Sequence, residues 1–249
     1  MNYLDSDFAI LFVSLAAQLL AGYLGDYVRK SRGFARDDGR DFDTVKTASL
    51  TLLALLIGFS FSMAISRYDE RKNYEELEAN AIGTEFTRAS LLPEKEAART
   101  RDLLRKYVDI RISFYLANGD DSAVREETAR LQNELWSAVL PSAHSDPTPI
   151  VALVVSGMND VLNSQGFTEA AWLNRIPHTA WTLMALIAIF CNMLIGYGES
   201  HRGVLPLIVL PLVVSVSLFL IADMDSPRTG MIRIQPVNLI LVSQAMNVH

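Results

Sequence analysis

The 249-residue chain carries 22 Lys and Arg against 28 Asp and Glu, a formal charge of −6, and half of its residues are hydrophobic. This acidic balance excludes the basic patch on which nucleic-acid binding relies. The one cysteine, Cys191, excludes an internal disulfide.

The hydrophobicity falls into four blocks, with the charge between them. The opening residues carry Asp5 and Asp7 and no Lys or Arg, and the basic residues follow the first apolar block. A secretory signal has the reverse order, so residues 8–24 are expected to be a retained span. Residues 25–47 form a basic connection with Arg29, Lys30, Arg32, Arg36, Arg40 and Lys46. A second span is expected over 48–65. Like 8–24, 179–197 and 204–222, it contains no Asp, Glu, Lys or Arg. A hydrocarbon crossing needs about 20 apolar residues, and backbone amides in lipid must bond internally, so all four stretches are predicted membrane helices.

Residues 67–176 hold 13 Lys or Arg and 18 Asp or Glu, the composition of a water-exposed segment. The second span is predicted to run on as a helix to about Leu92, where Pro93 pushes the preceding residue out of helical geometry. A helix over 95–116 follows, closed by Asn118-Gly119-Asp120. Another covers 122–139, with Val124, Leu131, Leu135 and Val139 on one face. Asp146 and Pro147 are read as cap and early proline of a fourth helix reaching about Leu162. Asp69, Glu70, Glu75, Glu76 and Glu78, among Arg67, Arg71 and Lys72, are read as a solvated helix face with pairs one turn apart.

Trp172, Trp181 and Tyr197 suit an interfacial belt around the third span. The short segment 198–203 makes spans three and four an antiparallel hairpin, and Pro206 and Pro211 are expected to kink the fourth. The predicted fold is all-α, a four-span membrane protein with a helical extramembrane domain inserted between spans two and three. Its expected parts are 1–66 (two spans), 67–176 (inserted domain), 177–223 (two spans) and 224–249 (tail). An even number of spans places both termini and the inserted domain on one side. Membrane-proximal basic residues number seven on one side and six on the other, so the positive-inside rule leaves orientation open.

His144, His178, His201 and His249 stand apart from metal-ligand spacings, and no phosphate loop, nucleophile elbow or dinucleotide turn is present. The sequence therefore points to no enzyme, cofactor or metal. In span two, Thr51, Gly58, Ser62 and Ser66 form a small and polar stripe, with Leu55 and Phe59 alongside. Such a stripe serves either close helix packing or a pore wall in which apolar rings gate by dewetting.

Ile57-Gly58-Phe59, then Ser66-Arg67-Tyr68-Asp69-Glu70-Arg71-Lys72, resembles the second-helix region of bestrophins. The chain is more similar still to a bacterial family of bestrophin-like membrane proteins whose function is not established. Its members show Gly-Phe-x-Phe-Ser-Met-Ala, Ser-Arg-Tyr-Asp and Glu-Ala-Asn-Ala-Ile-Gly-Thr, matched here by 58–64, 66–69 and 78–84. Residues 88–93 and 223–228 also fit. The resemblance to bestrophins implies a pentameric anion channel, passing chloride or a similar small inorganic ion, whose second helices line a narrow apolar neck. Phe59 matches a neck aromatic, and helical spacing around it adds Leu55 and Ser62 as pore-lining residues. The chain lacks the aromatics that follow the bestrophin Tyr-Asp-Arg run. Of the calcium-clasp acidic cluster only Asp223 and Asp225 have counterparts, and these are read as terminating structure rather than holding calcium. The resemblance further implies a multi-pass inner-membrane protein with its inserted domain in the cytoplasm and the lipid bilayer and copies of itself as partners. The alternative is a non-conducting scaffold or sensor whose acidic helices bind a protein. Alternating-access transport lacks the internal repeat it requires.

Overall fold

The computed structural model describes residues 4–32, 39–117, 121–198, 205–228 and 230–248. Among these, secondary structure is helical throughout: α1 (Leu4–Arg32), α2 (Gly39–Arg88), α3 (Glu94–Leu116), α4 (Ser122–Ser145), α5 (Pro149–Leu173), α6 (His178–Gly198), α7 (Leu205–Asp225) and α8 (Val237–Val248). Four helical stretches among the described residues are long and apolar enough to cross a membrane: Phe8–Ser31, Asp41–Leu91, Pro149–Gly198 and Leu205–Asp225. The expected segments 118–120 and 199–203, and Val204, lie outside the described residues.

The chain divides into two compact units, Met1–Arg67 with Arg175–Ile232, and Tyr68–Asn174 with Arg233–His249. In the first unit, α1 packs closely on α6 and α7. Glycines make the α1–α6 contact possible. A Cβ on Gly196 would stand 1.9 Å from the Gly22 carbonyl oxygen, and one on Gly25 would stand 2.1 Å from that of Met193. Lipid tails supply no hydrophobic drive between helices, so backbone approach and interhelical hydrogen bonds must hold them. A buried polar triad does this. Asn192 donates to the Gln18 carbonyl oxygen (2.9 Å), and Gln18 donates to the Ser215 hydroxyl (3.0 Å), joining α1, α6 and α7. The membrane part of α2 adds Leu53 to a cluster of Met184, Ala188, Cys191, Val214 and Leu218. Pro211 lies within α7, where its missing amide removes a helix bond; Pro206 is the second described residue of α7, and the residues before Leu205 lie outside the described ones.

In the second unit, α2 ends as expected before Pro93, through a 3-10 turn at Ala89–Leu91 and extended Leu92. One core gathers Ile82, Phe86, Leu104, Tyr107, Leu135, Met158, Val161 and Leu239, from α2, α3, α4, α5 and α8. Three expectations change here. α4 runs through Pro141 to Ser145. The cap of α5 is Thr148, whose hydroxyl accepts the Val151 amide with Pro149 in the first turn, rather than Asp146. No Gly-Pro stop stands near Leu162, so α5 continues to Leu173. As a result Trp172 is not interfacial. It is buried in the last turn of α5 against Phe114 and Tyr115, with ring centroids 4.9 and 5.4 Å away.

Candidate functional site

Two faces of α2 behave oppositely in the membrane-spanning part. Leu53, Ser60 and Ala64 are buried, with Ile57 partly so, following the helical period toward α6 and α7. Thr51, Leu55, Gly58, Phe59, Ser62 and Ser66 are exposed; Leu55 retains 51% of its accessible surface and Phe59 63%. A Cβ on Gly58 would meet nothing within 4 Å. Packing within the chain therefore does not account for the small and polar stripe; in the first unit's helices the glycines that pack are those of α1 and α6.

The composition of that open face also differs from that of α7. The exposed large residues of α7 are Leu205, Ile208, Val209, Leu212, Val213, Val216 and Leu220, the aliphatic surface expected toward acyl chains. On α2 the exposed face interleaves Leu55 and Phe59 with glycine and hydroxyls. Thr51 donates to the Thr47 carbonyl (2.9 Å), which satisfies its hydroxyl in a dry setting.

Beyond the membrane part, α2 carries a buried polar ladder, three of whose members, Arg71, Glu75 and Glu78, are expected from the sequence to be solvated. Asp69, Glu70 and Glu76 are exposed as expected, but Arg71, Glu75, Glu78 and Glu85 are buried. Each of the first three has a defined task. Arg71 donates to the carbonyls of Ala171 and Asn174 (3.0 Å each), placing a cation on the C-terminal end of α5. Glu75 accepts the Leu239 amide (3.0 Å) and the Asn238 side chain (2.7 Å), placing an anion on the N-terminal end of α8. Glu78 accepts from Arg111, from Thr168 (3.0 Å) and from Tyr115 (3.4 Å). Burial chiefly, and the Glu78 charge beside them, push the Tyr107 and Tyr115 hydroxyls above the usual phenol range, so both stay un-ionised. The signal that could have found this ladder is spacing: 71, 75, 78, 82 and 85 fall on one helix face.

In the last turn of α7, Asp223 accepts the amides of Met231 (2.5 Å) and Ile232 (3.0 Å), and Asp225 accepts that of Ile176 (3.0 and 3.1 Å). A Cβ on Gly230 would fall 2.6 Å from the Asp223 carbonyl oxygen, so glycine is required there. Both carboxylates thus organise a turn. Among the described residues no group of three or more His, Cys, Asp or Glu has metal-site geometry.

A model of the Bestrophin-like domain matches residues 43–239, most of the chain. The chain belongs to the Bestrophin-like family. Its fold is likewise that of solved bestrophin homologues. One bacterial bestrophin homologue from Klebsiella pneumoniae, a point mutant, superposes with a TM-score of 0.72 at 13% identity, covering 97% of each chain. A second mutant gives 0.68 at 13% identity over 95% of this chain and 97% of that one. A structure of the homologue phased on zinc gives 0.64 at 14% identity over 96% of both. No curated protein matches the chain. Within the Bestrophin-like domain lie the open α2 face, the buried ladder and the Asp223–Asp225 turn; α1 precedes the matched residues and most of α8 follows them.

Proposed function

We propose that this Bestrophin-like protein is an ion channel. Copies of the chain surround a common axis, five of them as the resemblance to bestrophins implies, and α2 faces the axis with Leu55, Phe59 and Ser62. The permeant species is a small inorganic anion, chloride in the first place. The reading makes the protein a channel rather than an enzyme, held in the inner membrane with its helical domain in the cytoplasm.

The observation that carries this is the exposed α2 face, which the chain's own helices leave open and whose glycine and hydroxyl content differs from the lipid-like surface of α7. On such a face Leu55 and Phe59 supply apolar rings that close by dewetting, while hydroxyls one turn away solvate an ion on either side. Planar-bilayer recordings of the purified protein test it. Chloride currents that change in conductance or open probability in Phe59→Ala are expected; silent bilayers across several salts contradict it.

A second reading, the non-conducting scaffold or sensor, draws on the outer face of α5. Ile150, Leu153 and Phe167 are all exposed there, a surface suited to a protein contact. A stoichiometric co-purifying protein together with silent bilayers favours that reading over the channel.

A further inference from the structure

Glu85 is fully buried, and neither of its carboxyl oxygens has a hydrogen-bond partner. The carboxyl lies on Gly157 of α5, where a Cβ would fall 2.0 Å from its Oε2 and 2.6 Å from the Arg88 guanidinium. Only glycine leaves room for it. Gly157 and Arg88 in turn line an open cleft of about 410 Å3 between α2 and α5, whose other walls include Asn80, Thr84, Asp160 and Phe167. Arg88, on the same helix, and Asp160, on α5, are the charged groups that act on the Glu85 carboxyl. A buried carboxylate that accepts no hydrogen bond, with the Arg88 guanidinium near it but not bonded to it, is costly, whereas a carboxylic acid is less so.

We infer that Glu85 is a proton-binding site of the helical domain, its carboxylic acid closing the seam between α2 and α5 and its loss of the proton loosening that seam. Burial dominates the balance at this site. It pushes the carboxyl up to about 8, against the pull of Arg88 and with the help of Asp160. Between the ordinary carboxylate range and about 8, the folded chain keeps a proton that the unfolded chain has released. Stability conferred by the acid form is therefore complete at low pH, falls as pH rises through that window and levels off above it. Once ionised, the carboxylate has as partners Arg88, whose guanidinium also lies on Gly157, and water in the cleft; hydration from the cleft withdraws it from Gly157.

The test is infrared difference spectroscopy on the full chain in lipid nanodiscs, titrated between pH 6 and 10, with thermal unfolding measured in parallel. The carbonyl stretch of an un-ionised acid should be present at neutral pH, bleach with a midpoint near 8 and be missing from Glu85→Gln, an isosteric stand-in for the acid form. Asp160→Asn should move the midpoint down, and Arg88→Gln should move it up. The unfolding temperature should fall more steeply with pH in the unsubstituted chain than in Glu85→Gln. A midpoint in the ordinary carboxylate range, or no band that Glu85→Gln removes, overturns the proton site. A parallel pH dependence of unfolding in the two proteins overturns the loosening of the seam.

Discussion

Arg111 and Glu78 are both completely buried and bonded to each other, with Thr168 and Tyr115 completing the shell of the carboxylate. Removing one member strands the other charge in a dry interior. Arg111→Met should therefore cost about 3–5 kcal/mol, read from denaturant or thermal unfolding in detergent. Pairing it with Glu78→Leu should recover much of the loss, since both desolvation penalties disappear together. Inside the membrane the stakes are lower. Asn192→Leu breaks the bond to Gln18, and interhelical hydrogen bonds in lipid are worth about 0.6–2 kcal/mol. A small drop in unfolding temperature is expected, with the fold intact.

Among the elements, two glycines on different helices separate packing from function. Gly196→Ala places a methyl group against the Gly22 carbonyl, so α1 and α6 must part, at about 1–3 kcal/mol of overpacking. Gly58→Ala meets open space and removes a helix-weakening glycine, so the stability of the isolated chain should hold or rise by up to about 1 kcal/mol. If α2 lines a pore, the same substitution should nevertheless alter single-channel conductance. The elements were legible in the sequence where one physical signal stood alone: charge-free runs for the spans, Pro93 for the end of α2. They were obscured where signals competed. Asp146 and Thr148 are both capping residues, and only Pro149 in the first turn favours the latter. Gly166 does not stop α5, which continues to Leu173, so Trp172, interfacial by its place in the sequence, closes a buried aromatic cluster. The α2 ladder was hidden because Arg71, Glu75 and Glu78 look solvated until α8, α5 and Arg111 supply partners distant in sequence. Residues 237–248, part of the expected tail, form α8; Leu239 and Met246 are buried in the second unit's core.

At the scale of the whole molecule, one chain satisfies its own core in each unit yet leaves the Leu55–Phe59–Ser62 face of α2 open. The stripe itself was legible in the sequence, because helical spacing alone aligns those positions. What stands opposite that face was not, because a partner on another copy, as the proposed channel requires, leaves no spacing signal within one chain. The most direct measurement is a cryo-EM map of the full chain in lipid nanodiscs. The account predicts a ring of identical subunits whose α2 helices enclose an axial pathway, narrowest at Leu55 and Phe59. A monomer, or a ring in which these side chains point into the acyl chains, would contradict it.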